Sequence, residues 1–152
     1  MISQQHLDHL AIKLFRVFSR TEYALKASGF HKGEGSAKAN WYTFALEVEE
    51  LINNPLNSEL KEAVDFIFKA PPKKQVIKGG IVTWEDREPD TRSHADKLLQ
   101  YVRRVRNNLF HGGKFNGNWF APERSEPLLR HSIVILKAVV EAVPKAKEAY
   151  DG

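Results

Sequence analysis

The chain contains no cysteine, which excludes disulfides, thiolate zinc sites and cysteine nucleophiles. Long apolar runs are also missing. The longest, Ser132-Ile133-Val134-Ile135-Leu136, stops at Lys137, well short of the roughly 20 residues a bilayer-spanning helix needs. No membrane span is therefore expected. The opening Met1-Ile2-Ser3-Gln4-Gln5-His6 has no basic start leading into an apolar block, so no secretory signal is expected and a cytoplasmic location is the default. There is no internal repeat and no low-complexity segment. Positive charge is in modest excess, net +4 with a pI near 9.3. That biases the surface toward polyanionic partners but falls short of a dedicated nucleic-acid arm.

What is present suffices for one folded domain over residues 1–152. A composition 42% hydrophobic and 28% charged is that of an ordinary globular chain able to bury a core. From about Ser3 to Ser28, Leu7, Ala11, Leu14, Phe18, Thr21 and Leu25 recur at the helical period, and Gly29 follows where a helix usually ends. His31 to Ser36 is polar and glycine-rich, a loop. A second helix is predicted from about Ala39 to Asn53, burying Trp41, Phe44, Val48, Leu51 and Ile52, and ending at Asn53-Asn54-Pro55. Asn57 or Ser58 caps a third to Lys69, which buries Leu60, Val64 and Ile67 before Pro71-Pro72 stops it.

Gln75 to Trp84 holds the only β signal, two β-branched runs around Gly79-Gly80. Such a hairpin is marginal alone and should lie on the helices. After an acidic loop, Thr91 or Ser93 opens a helix to about Phe110 with Leu98, Val102, Val105 and Leu109 on one stripe. Gly112-Gly113 ends it. Lys114 to Pro122 reads as a loop, and a last helix runs from about Ser125 to Val143, burying Leu129, Ser132, Ile133, Leu136, Val140 and Val143, with Pro144 at its end. Four or five helices and one inserted hairpin make a helical bundle.

The chemistry-bearing stretch is Arg103-Arg104-Val105-Arg106-Asn107-Asn108-Leu109-Phe110-His111-Gly112-Gly113-Lys114. Arg106 lies roughly 80° from the middle of the buried stripe, and Arg103 and Asn107 roughly 140° and 180° from it. These side chains should therefore face solvent or a partner chain. A continuous helix would hold Arg106 and His111 about 140° apart. They converge only if the helix stops near Leu109 or Phe110, and the two glycines give the backbone that freedom. RNA cleavage asks for little more. A base takes the ribose 2′-OH proton, the oxygen attacks the adjacent phosphate, and an acid protonates the departing 5′-oxygen. Histidine suits either role near neutral pH, arginine suits the phosphate, and no metal is required. The pairs Arg87/His94, Arg104/His111 and Arg124/His131 have comparable spacing. Only Arg106/His111 combines a polar second residue, a helix C-terminal end and a following Gly-Gly.

The motif Arg106-Asn107-Asn108-Leu109-Phe110-His111 resembles the R-x(4–6)-H signature of HEPN ribonucleases, including the polar residue favoured after the arginine. The order of elements is similar too: a long first helix, a second helical pair, the motif at the end of a late helix, and a closing helix. So is the segment Phe18-Ser19-Arg20-Thr21-Glu22-Tyr23-Ala24-Leu25-Lys26-Ala27-Ser28-Gly29-Phe30. The likeness covers most of the chain as architecture and about six residues as motif. The hairpin, at about 74–86, departs from it and reads as an insertion.

The resemblance implies an all-α, four- to five-helix HEPN-like bundle with a short β-hairpin insertion. It also implies a homodimer whose two motifs face one cleft and form a composite site. The activity it implies is that of a metal-independent, cofactor-free endoribonuclease with Arg106 and His111 as catalytic pair. Its role would be that of a toxin, with an antitoxin protein as further partner, or of a phage-defence effector. Asn107 would orient the histidine or contact phosphate. Arg103, Lys114 and Glu22 are the supporting or RNA-binding candidates, Glu22 because a place roughly 60° off the first-helix stripe would let it border the core and reach the motif, its plainer reading being a surface carboxylate. Trp119 and Phe120 are candidates for stacking on a base. His6 and His9 lie three apart on a helix, but no carboxylate cluster supports a metal there, and His94 and His131 carry no second signal. The alternative reading is a non-catalytic HEPN-like module that binds RNA or protein. A third, a helical partner of a nucleotidyltransferase, would need an adjacent gene.

Overall fold

The computed structural model describes residues 2–112, 114–115, 118–119 and 121–152, with backbone only at 114–115 and 118–119. Helix α1 (Gln4–Ala27) has Ser3 as its cap, accepting from the His6 N–H at 3.0 Å. Gly29, at φ +95°, turns the chain so that the Phe30 N–H reaches back to the Leu25 carbonyl at 2.8 Å. A residue with a Cβ would strain there. The apolar stripe is buried as expected, widened by Leu10, Val17 and Ala24, while Ala11 is half-buried.

The second predicted helix is two, α2 (Trp41–Glu47) and α3 (Glu49–Asn53), hinged at Val48. The break has a tertiary cause. Glu49 leaves the line of α2 to cap α5 (His94–Phe110), accepting from Ser93 Oγ at 2.5 Å and from the His94 and Ala95 N–H groups at 3.1 Å each. Asn57 caps α4 (Ser58–Lys69), which buries Leu60, Ala63, Val64 and Ile67. Strands β1 (Lys74–Lys78) and β2 (Ile81–Glu85) pair antiparallel, Lys74 opposite Glu85. Gly79 and Gly80, at φ +59° and +76°, form the tight turn whose twist suits a hairpin.

This hairpin does not lie flat on the helices. Ile77 and Ile81 are 69% and 68% exposed, and only its base is fastened to α5. Asn108 Nδ2 donates to the Lys73 carbonyl at 2.8 Å, and Arg104 Nη1 donates to the Pro72 and Arg87 carbonyls at 3.2 and 2.7 Å. Two polar anchors thus hold its base, beside Trp84, which borders a pocket with Val105, Leu109 and Leu128.

Beyond α5, the segment read as a loop contains a second small antiparallel pair, β3 (Lys114–Phe115) with β4 (Asn118–Trp119). The last predicted helix starts earlier, as α6 (Pro122–Glu141), and carries Pro127 within it. One missing backbone donor early in a 20-residue helix is tolerated when its apolar face is fully packed. Pro144 ends nothing. It is the first residue of α7 (Pro144–Asp151), where its fixed φ and absent N–H cost little. The count of four or five helices therefore becomes seven among the described residues, through the hinge at Val48 and the addition of α7.

The chain is mostly helical with a small β-hairpin. Helix α6 is central, packed along α1, α4 and α7, and α5 is held between it and the α2–α3 pair. One continuous core results, built around Leu14, Leu25, Phe44, Ile67, Leu98 and Leu136. Among the described residues no helix is long and apolar enough to cross a membrane.

Candidate nucleic-acid interface at the C-terminal end of α5

Helix α5 stops at Phe110. His111 is the cap residue, its N–H bonded to the Asn107 carbonyl at 2.9 Å, and Gly112 follows at φ +115°. The turn that the Arg106/His111 spacing requires is therefore present, and it needs a glycine because that φ strains any other residue. His111 is exposed, and its ring meets Phe110 edge-on at 5.6 Å.

The two members of the pair face different hollows within one chain. Arg106 lies against α1, its guanidinium 5.4 Å from the centre of the buried Phe18 ring and 5.0 Å from that of Phe110. It borders a cavity of about 650 Å³ together with Ile12, Phe15 and Phe110, all three exposed apolar side chains. His111 borders a second cavity of about 340 Å³ with Arg103, Arg104 and Asn107 on one side and Lys74 and Gln75 on the other. Asn107 links the two, lining the second cavity while its Oδ1 accepts from Arg106 Nη1 at 3.1 Å.

The second cavity is polar and positive. Among the described residues that line it there are three cationic side chains, one histidine, four amides and no carboxylate. Arg103 was expected to face solvent, but α2 covers that side of α5. Its guanidinium lies over the Trp41 ring at 5.5 Å, and the Trp41 indole in turn donates to Glu22 at 3.0 Å. Burial lowers the Arg103 pKa from its ordinary value by more than the nearby Glu22 and Asp96 restore. Glu22 thus belongs to the motif's surroundings as a partner of Trp41 and Arg103. The side chain of Lys114, like those of Trp119 and Phe120, lies outside the described residues.

Of the competing pairs, each has structural work. Arg87 is ion-paired with Glu85, and His94 stacks on Phe68 at 4.6 Å. Arg104 anchors the hairpin as described above, and Arg124 donates to the Pro71 carbonyl at 2.6 Å. His131 is buried against Phe66 at 4.8 Å, its Nδ1 without a hydrogen-bond partner among the described residues, and burial, seconded by Arg130, lowers its pKa against the pull of Glu62 and Glu126.

Two groups escaped the sequence reading. Lys74 and Gln75 reach the groove from a hairpin some thirty residues upstream, which no local pattern announces. Glu49 looks like any charged residue of a helix until α5 is placed above it. No family model, curated protein or solved structure matches the chain.

Proposed function

We propose that the chain is a metal-independent endoribonuclease of HEPN type, acting on RNA in the cytoplasm as a homodimer, in a toxin or phage-defence role, with an antitoxin as partner in the toxin case. The observation that carries this reading is the exposed His111 on a turn beside a cationic groove without a described carboxylate. In the reaction, imidazole accepts the 2′-OH proton or donates one to the leaving 5′-oxygen. A bond forms from the 2′-oxygen to phosphorus and the bond from phosphorus to the 5′-oxygen breaks, leaving a 2′,3′-cyclic phosphate and a 5′-hydroxyl. Arg106 offsets charge on the phosphate. The exposed Ile12, Phe15 and Phe110 around Arg106 suit a surface covered by a second copy, which would bring two motifs to one cleft. Arg106→Ala and His111→Ala should each abolish cutting of a single-stranded RNA while the far-ultraviolet spectrum stays unchanged. Full activity in either variant would sink the assignment.

A second reading, a non-catalytic module that binds RNA, is favoured by one fact: Arg106 and His111 border separate cavities in a single chain. Its mark is RNA affinity without product, indifferent to replacement of His111.

A further inference from the structure

The groove beside His111 has a wall that the motif does not supply. Strand β1 contributes Lys74 and Gln75 to it, and α5 contributes the rest. The strand is held in place by the motif helix itself, through Asn108 to the Lys73 carbonyl at 2.8 Å and Arg104 to the Pro72 carbonyl at 3.2 Å. Two α5 side chains, one of them inside the motif, are thus spent on positioning this strand. Gln75 also meets the turn that carries His111: a Cβ built on Gly112 would lie 3.8 Å from Gln75 Nε2. Lys74 is exposed, and the carboxylate opposite it in register, Glu85, is taken by Arg87.

We infer that the base of the β1–β2 hairpin is the second wall of the substrate groove, where Lys74 and Gln75 hold a phosphate of single-stranded RNA next to the one that is cut. The inference rests on the ribonuclease reading for the identity of the substrate. Its chemistry is that of a cation and an amide donor facing Arg103 and His111 across a gap of nucleotide size. A cavity of about 340 Å³ between one strand and one helix end has room for a sugar-phosphate unit and none for a duplex. The hairpin then selects an unpaired strand and fixes its register relative to His111.

The test is binding of a fluorescent 2′-O-methyl oligoribonucleotide, which cannot be cut, followed by anisotropy over a range of salt concentrations. Lys74→Ala should weaken binding roughly tenfold and make the log–log salt dependence shallower by about 0.7, the share of one phosphate contact on a single strand. Gln75→Ala should weaken binding a few-fold with the salt slope unchanged. Lys74→Arg should stay within about twofold of the parent, because the charge is kept. Lys137→Ala, exposed on α6, should bind like the parent. Because Lys74 and Lys137 are exposed, their variants should melt with the parent. The inference is overturned if Lys74→Ala binds as the parent does with an unchanged slope, or if the parent binds no RNA. If binding depends on Lys74 but a cleavable RNA stays intact, the wall stands and the nuclease reading falls.

Discussion

The two ends of α5 are built on opposite terms. At the N-terminal end the first backbone donors find acceptors from the protein. Ser93 accepts from the Asp96 N–H at 3.0 Å and donates to Glu49, whose carboxylate also takes the His94 and Ala95 N–H groups and Asn53 Nδ2. Burial alone would raise the Glu49 pKa, but the hydrogen bonds from Ser93, Ala95, Asn53 and His94 outweigh it and leave it lowered. Toward the C-terminal end two of the three arginines meet aromatic rings instead, Arg103 over Trp41 and Arg106 over Phe18 and Phe110, while Arg104 holds the hairpin. Phe110 and His111 stand exposed. Within 17 residues, one helix end is capped by its own protein and the other leaves an aromatic ring and a histidine exposed.

Substitutions at the two ends should therefore fail differently. The largest effect is expected at the open end. His111→Ala should lower RNA cleavage by roughly three orders of magnitude, the scale of a lost acid–base group, and change stability by no more than about 0.5 kcal/mol. Kinetics and a urea melt on the same preparation check both. At the closed end, Glu49→Ala should cost about 1–2 kcal/mol of stability, as loss of a helix cap does, which in a chain of 152 residues lowers Tm by several degrees. Its kcat per folded molecule should stay within about twofold of the parent.

A smaller effect is expected from pH. His131 is held below the ordinary imidazole pKa, so the unfolded chain binds its proton more readily. The stability that neutral His131 contributes is complete above about pH 6.5 and drains as pH falls toward the folded-state value. His131→Phe should flatten that part of the stability curve, read by denaturant midpoints. Smallest of all, Lys61→Ala on α4 removes an exposed pair with Asp65 at 2.7 Å and should shift stability by less than about 0.5 kcal/mol.

The contrast between the ends also marks what the sequence disclosed. The bounds of α1 fall within a residue of expectation because its signals, Ser3 and Gly29, are local. The Gly79-Gly80 hairpin and the halt of α5 before Gly112 were legible for the same reason. The hinge at Val48 was not, since it exists to aim Glu49 at an element forty-odd residues away. Nor was α7, because a proline after a helix signals a stop and a new first turn equally well. Of the site, Arg106, Asn107 and His111 could be named from one stretch of sequence. The packing of Arg103 over Trp41 and the arrival of Lys74 and Gln75 depend on tertiary structure and had no local signature.

The most direct measurement is the chemistry of the ends left on a single-stranded RNA incubated with the purified protein in EDTA. The account predicts fragments with 2′,3′-cyclic phosphate and 5′-hydroxyl termini, formed at the same rate with and without chelator, and none from His111→Ala. Intact RNA, or cutting that appears only when a divalent metal is restored, would contradict it.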